Sequence, residues 1–459
     1  MENLARQLTV RAVIAGMLLG GFMSLSNLYI SLKVGWSFGV SITAGILAFA
    51  IFEVLHLLRL IRTPFGMLEN NAMQSVASAA GYMTGGGTVA AIPAMMMITG
   101  NSMPPLQMFA WIGSIALLGV VMAIPMKQQM INVEQLAFPT GIAAAETLRA
   151  LHGSGAGETN SKASWLGISA LVGALLAFLR DVQTSWKSWT LPEKLPIPGI
   201  TISGRPLLDY TLGFETSLIM IGAGAIMGFR SAWSMMLGAL INYAILAPWL
   251  YEQGIINEKL GYKHIVAWSV WLGSSMLLTS GLLSFAFQWR SVWRAIQSVS
   301  AAFGGKQQED GEVPMIWFFI GTLIFGPLVM GLEYLFFGIP WWMGLLSVFL
   351  GFFTAIVACR VTGETDTTPT GALGKITQIT FGWLAPGNMI TNLMTANVTG
   401  GIGLHAADLL TDLKSGYLLK ADPRQQFWAQ FFGVLAGSVS VVVAFNILVP
   451  NADELGGDK

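Results

Sequence analysis

Long apolar runs separated by short polar connections set the pattern of the chain. They occupy residues 10–30, 38–58, 88–100, 106–125, 163–179, 212–229, 232–250, 265–287, 315–337, 340–358 and 427–449. A helix needs about 20 apolar residues to cross the hydrocarbon core, and most of these runs reach that length. The pattern predicts an all-α, polytopic membrane protein with about 11 transmembrane helices. Trp36, Tyr210, Trp249, Tyr251, Trp341 and Trp342 stand at run ends, where interfacial anchors sit. The first run has no Ala-x-Ala exit, so a retained span is expected there rather than a cleaved signal peptide.

The pattern breaks in three places. In 361–425, Glu364, Asp366, Lys375, Asp408, Asp412 and Lys414 alternate with Gly, Pro, Asn and Thr. The segments 63–81 (TPFGMLENNAMQSVASAAG) and 138–151 (FPTGIAAAETLRAL) are shorter. Each of the three carries Pro-x-Gly: Pro64-Phe65-Gly66, Pro139-Thr140-Gly141 and Pro369-Thr370-Gly371. Proline fixes the backbone ahead of a helix, glycine permits a sharp turn into it, and the small residues that follow let helices approach closely. Three short half-helices are expected, entering the membrane without crossing it alone. Polar, kinked backbone survives at that depth only where it lines a cavity or packs on protein. Interrupted segments in corresponding parts of a chain mark the midplane site of a transporter. For 361–425 the alternative is a large polar loop. The whole of 1–459 is expected to form one transmembrane domain.

Composition agrees with many spans rather than a soluble protein on one anchor, because 54% of residues are hydrophobic and only 10% charged. The 24 basic and 24 acidic residues cancel, which gives no basic balance to recruit nucleic acid. A single cysteine, Cys359, excludes an internal disulfide. In the connections on the N-terminal side, Arg6, Arg11, Arg59, Arg62, Lys127, Arg149, Lys162, Arg230, Arg290, Arg294, Lys306 and Arg360 outnumber the opposite set of Lys33, Arg180, Lys187, Lys194, Arg205, Lys259 and Lys263. That bias predicts a cytoplasmic N-terminus.

The candidate chemistry lies in the broken segments. Asn70 and Gln74 share a helical face beside Glu69 and Asn71, and Asn388, Asn392 and Thr395 form a similar stripe. With Lys375, Gln378 and Asn397 they are expected to line a substrate path; inter-helix hydrogen bonding is the alternative. His405, Asp408 and Asp412 fall on one face, either as chemistry or as a wet cytoplasmic helix end. An ionised carboxylate at the bilayer centre costs about 2.5–3.5 kcal/mol, so one placed there is suited to take and release a proton. The coupling candidates are Glu69, Glu146, Glu333, Glu364, Asp366, Asp408 and Asp412, with snorkelling as the alternative for Glu333. Lys375 and Lys414 can pair with these acids, although Lys414 also fits a positive-inside anchor. The histidines are scattered, and no Walker loop, Gly-x-Ser-x-Gly elbow or His-Glu-x-x-His occurs, so neither an enzyme nor a cofactor or metal site is expected. Asp408 and Asp412 lie on one helix, whereas an acid–base dyad converges from two elements.

NLYISLKVGW (27–36), LENNAMQSVASAAGYM (68–83), LAFPTGIAAAETLRAL (136–151), GETDTTPTGALGKITQ (363–378) and AADLLTDLKSGYLLKADPRQQFWAQFFG (406–433) together resemble the oligopeptide transporter (OPT) family, in its prokaryotic members, with the yellow stripe-like metal-chelate transporters as cousins. The resemblance implies a proton-coupled symporter that imports small peptides or peptide-like metal chelates across the cytoplasmic membrane. It also places 69–74 and 363–397 among the re-entrant and transport-path elements. A passive facilitator is the alternative. Members of the family continue with several further spans, so a shortened member or a non-transporting fragment is also expected.

Overall fold

In the computed structural model the described residues are 7–34, 37, 39–85, 87–153, 156–181, 190–192, 194–227, 229–256, 260–287, 289–290, 293 and 312–455. Trp36 and the cations Arg6, Lys187, Lys259, Arg294 and Lys306 lie outside them, as do the side chains of Lys33, Lys162 and Arg230.

Helices dominate. In chain order they are α1 Val10–Val34, α2 Ser41–Leu57, α3 Met67–Tyr82, α4 Ala91–Thr99, α5 Pro105–Met122, α6 Ile124–Lys127, α7 Pro139–Gly153, α8 Ala156–Asp181, α9 Leu218–Met227, α10 Phe229–Leu240, α11 Ala247–Glu252, α12 Tyr262–Phe287, α13 Met315–Phe337, α14 Trp341–Thr365, α15 Thr370–Leu384, α16 Met389–Leu419 and α17 Pro423–Leu448. Six stretches among the described residues are long and apolar enough to cross a membrane: Val10–Leu32, Pro105–Val133, Ala232–Glu252, Met315–Phe337, Trp341–Thr365 and Pro423–Leu448. Ser41–Leu57 and Leu171–Arg180 are shorter apolar helices. The chain is a polytopic, all-α membrane protein. Two of the apolar runs take a form that hydropathy does not show. The run 88–100 condenses to the nine residues of α4, and 212–229 opens as a short strand ahead of α9.

The chain forms two compact units, Met1–Asn160 with Leu278–Lys459, and Ser161–Leu277. Among its described residues the second holds four two-residue strands, β1 Lys194–Leu195, β2 Thr201–Ile202, β3 Arg205–Pro206 and β4 Phe214–Glu215, paired β1 with β4 and β2 with β3, both antiparallel. Ser203 and Gly204 join β2 to β3 with φ of 50° and 75°, which two-residue hairpin turns of this hand require. Tyr210, Ala247, Leu250, Ile256 and Ile265 form its core.

The first unit is organised around α16. Its 31 residues are buried for most of their length, and it packs against α3, α5, α7, α14, α15 and α17. Small residues permit these approaches. A Cβ on Gly119 of α5 would lie 2.7 Å from the Ile402 carbonyl oxygen, and one on Gly351 of α14 would lie 2.5 Å from Ile402 Cδ1. Beside α16 stands α3, every residue of which is buried from Glu69 to Gly81. Gly16 and Gly20 of α1 clasp one flank of α3, and Gly433 and Gly437 of α17 clasp another. The opposite stripe of α1, Ile14, Leu18 and Phe22, is exposed and apolar, the face a bilayer accepts. Contacts fix the directions: Gly16 meets Met73 and Val76 while Gly20 meets Ala77 and Ala80, and Gly433 meets Val76 while Gly437 meets Ala80. Thus α1, α3 and α17 run parallel, with α16 antiparallel to them.

Candidate functional site

The three Pro-x-Gly segments each open a short helix. Gly66 is the extended residue ahead of α3, Pro139 is the first residue of α7, and Pro369 immediately precedes α15. Proline suits these places because the first helical N–H groups have no intrahelical partner to lose. At 16, 15 and 15 residues the helices are about 22–24 Å long, short of a hydrocarbon core of about 30 Å. All three pack on α16. Two of the segments are also tied directly. The Phe138 N–H donates to the Gly363 carbonyl (2.9 Å), while the Asp366 carboxylate accepts from the Thr140 N–H (2.8 Å) and hydroxyl (2.6 Å). Asp366 is an exposed cap supplied to α7 from the end of α14. Asp366 has φ of 65°, so Asp366→Ala is expected to lower stability by about 1–2 kcal/mol through loss of the cap together with strain in that left-handed conformation, while Asp366→Asn retains an acceptor, tolerates the conformation and keeps most of that stability. Thermal unfolding in detergent checks this; equal melting of Ala and Asn variants would remove the capping role.

The densest polar group in the first unit lies where α3, α16 and α17 meet. Asp408 and Asp412 are 4% and 1% exposed, so the wet helix end considered from sequence is replaced by burial. Ser78 donates to Asp408 (2.9 Å), and Gln430 Nε2 donates to both Asp412 (2.6 Å) and Asp408 (3.3 Å). One turn along, Gln426 Nε2 donates to the Asp412 carbonyl (2.8 Å). Ser415 donates to the Asn71 side-chain oxygen (3.0 Å), and Gln74 Nε2 donates to Ser415 (3.1 Å). Among the described residues neither aspartate has a Lys, Arg or His partner. At 1.5 Å per residue Asp408 stands about 18 Å along α16 from Lys420, near half the thickness of a bilayer core.

Several groups around the carboxylates remain short of partners. The side-chain oxygens of Asn70, Gln74, Gln426 and Gln430, the Asn71 nitrogen and both ring nitrogens of His405 are buried without one. Buried polar atoms are ordinarily paired, so such a concentration marks a place where something else is received or where an arrangement changes. Asn70 otherwise donates to the Gly45 carbonyl (3.1 Å) and meets His152 Nε2 (3.3 Å), which joins α3 to α2 and α7.

The remaining candidates are placed differently. Glu69, 8% exposed, is held by Arg11 through two bonds of 2.6 and 2.5 Å and also accepts from Thr9. Glu364 is exposed and accepts from Arg360 (2.6 Å), and Glu146 is exposed beside Arg149 (2.6 Å). Lys375 and Gln378 lie half-buried on α15; the Gln378 carbonyl accepts from Asn392 (2.5 Å). Asn388 is exposed and caps α16, accepting from the Thr391 N–H (3.0 Å), and Asn397 accepts from Trp111 Nε1 (2.8 Å). Lys414, expected as an anchor, is 4% exposed and reaches Gln135 (3.4 Å). Glu333 does not snorkel: it is fully buried and accepts from Ser347 (2.9 Å).

Ser78, Ser415, Gln426 and Gln430 are absent from the sequence-based candidates. A signal for the glutamines exists. Gln426 and Gln430 are four apart, as are Asp408 and Asp412, and two such pairs on adjacent antiparallel helices can face each other. Among the described residues no group of three or more His, Cys, Asp or Glu is placed to hold a metal.

Residues 7–458 match the model of the OPT oligopeptide transporter proteins. The chain is similar to a Saccharomyces cerevisiae protein named as an oligopeptide transporter, at 25% identity over 93% of this chain and 76% of that one. It is 22% identical to a metal-nicotianamine transporter of Arabidopsis thaliana, over 96% of this chain and 73% of the relative. The iron-phytosiderophore transporter of Zea mays is 24% identical over 99% of this chain and 73% of its own length.

Proposed function

The chain belongs to the OPT oligopeptide transporter family and is a multi-pass membrane transporter, not an enzyme; from that premise we propose that it is a proton-coupled symporter importing small oligopeptides or peptide-like metal chelates. The membrane is the cytoplasmic membrane, and the N-terminus lies on its cytoplasmic side. The short helices α3, α7 and α15 are re-entrant, and their polar faces with α16 form the cargo path.

One observation carries the proposal: Asp408 and Asp412 share the single amide of Gln430 in a buried setting with no cation beside them among the described residues. Two ionised carboxylates so placed repel each other and forgo hydration. A proton held by the pair relieves both costs, and water admitted when α3, α16 and α17 part allows its release. Alternating access then moves proton and cargo together. The polar atoms without partners, on Asn70, Asn71, Gln74, His405, Gln426 and Gln430, are the groups that the cargo or admitted water satisfies. The substrate names carried by the relatives, oligopeptides and metal complexes of nicotianamine or phytosiderophore, share amines and carboxylates, which amide side chains and hydroxyls recognise without a dedicated metal site.

Purified protein in proteoliposomes, given di- to tetrapeptides and metal–nicotianamine chelates with and without an inward proton gradient, tests this. Accumulation of at least one class above its external concentration, collapsing on addition of a protonophore, is expected. Uptake that only equilibrates, with the gradient or without it, makes the protein a facilitator and ends the symport proposal.

A further inference from the structure

A cavity of about 520 Å³ opens at the turn between α16 and α17, in the size range of sites for small ligands. Its wall carries Lys127, Glu312, Lys420, Asp422, Arg424 and Gln426. The acids there are already engaged. Glu312 accepts from Lys127 (2.6 Å) and Asn132 (2.7 Å), and Asp422 caps α17 by accepting from the Arg424 N–H (2.9 Å) and also accepts from Gln425 (3.3 Å). The cations are less so. Arg424 spends only Nε, on the Glu312 carbonyl (2.9 Å), and among the described residues Lys420 has no ionic partner. With Glu312 paired to Lys127, the cavity presents two cations without an ionic partner among the described residues, a guanidinium and an ammonium, against the single carboxylate of Asp422, so its wall is net positive. That arrangement selects a carboxylate.

A second observation points inward from the same wall. Gln426 is 1% exposed and its side-chain oxygen has no partner, while its nitrogen holds the Asp412 carbonyl. It is the one cavity residue that also belongs to the polar group around the aspartates. Resting on the transport reading, we propose that this cavity is a cargo vestibule that binds a carboxylate of the peptide or chelate through Lys420 and Arg424, with Gln426 at its inner end joining it to the polar group around the aspartates. The α16–α17 turn lies beside the segment that precedes α1, where Gln425 accepts from the Gln7 and Leu8 N–H groups. With the N-terminus inside, the vestibule is the cytoplasmic one, where cargo is released.

The test is equilibrium binding of trialanine and of trialanine amide to the full chain in nanodiscs of neutral lipid. Lys420 has φ of 60°, so it is replaced by asparagine, which tolerates that conformation; Arg424→Gln keeps a donor for the Glu312 carbonyl. The free acid is expected to bind at least tenfold more tightly than the amide. The double variant K420N/R424Q is expected to lose that preference while binding the amide within twofold of the parent. A preference that survives the double variant, or no preference in the parent, overturns the vestibule. Loss of the parent's preference whenever phosphatidylglycerol is included assigns the cavity to a lipid phosphate and also overturns it. Asp412→Asn separates the two proposals: an intact acid preference without proton-driven uptake supports both. Normal uptake by that variant, together with an intact preference, removes the coupling role and leaves the vestibule standing.

Discussion

Asp412→Asn is expected to abolish proton-driven accumulation while leaving cargo exchange across the membrane in place. Asparagine fits the carboxylate's space and can still meet Gln430 through one oxygen, but it is neutral in every conformation. In the parent, one charge moved through a potential of 100 mV supplies about 2.3 kcal/mol, which sustains about a fiftyfold concentration ratio. With the titrating group removed that ratio falls to one. Asp408→Asn should behave alike, because both aspartates depend on the same Gln430 amide. Glu364→Gln is the contrast: its carboxylate is exposed, and Arg360 on the same helix, with which it pairs, also pairs with Glu134, so neutralising Glu364 leaves that guanidinium an acidic partner. Counterflow measures exchange, and uptake under a pH gradient measures accumulation. Accumulation retained by both aspartate variants and lost in Glu364→Gln would transfer the coupling role from α16 to the end of α14.

The order in which these carboxylates suggest themselves from sequence differs from their placement, and the reason is physical. A carboxylate followed by helix-breaking residues, such as Glu364 or Asp366, looks like a site because the local chain is irregular. Whether a cation reaches it depends on contacts far along the chain, such as Arg11 to Glu69 across 58 positions, which no local pattern encodes. Conversely, Asp408 and Asp412 sit in an ordinary helical stretch beside Lys414 and resemble a solvated end until α3 and α17 cover them. What was legible was the punctuation: Pro64, Pro139 and Pro369 mark helix starts to within a few residues, because proline and glycine act on their own backbone. Runs of small residues were legible for a related reason, since Ala77–Gly81 has few uses other than close packing. Hydropathy alone does not register that a run such as 212–229 begins as strand, and the polar α16 escapes it entirely despite being buried for most of its length.

Gly433→Ala is expected to be among the most destabilising single-methyl additions in the first unit. A Cβ there would lie 2.2 Å from the Val76 carbonyl oxygen and 2.6 Å from Ala79 Cβ, distances at which something must move. The obstacle is backbone in the interior of α3, so no change of side-chain rotamer relieves it; α17 has to withdraw. Overpacking of a close interface costs about 1–3 kcal/mol, and a backbone clash belongs at the upper end. Withdrawal also separates Gln430 from the aspartates it bridges, so uptake should fall along with stability. Gly321→Ala on α13 provides the comparison, because its new methyl would meet Val121 Cγ2 at 2.5 Å, a side chain that can be shortened. Combining it with Val121→Ala is expected to restore the parent melting temperature to within a few degrees, whereas Gly433→Ala combined with Val76→Ala should remain as unstable as the single variant. Gly331→Ala, with no atom near the added carbon, sets the baseline. Recovery of Gly433→Ala by trimming Val76 would mean that α3 and α17 meet through side chains, and the clasp around α3 would lose its role in holding the aspartate pair.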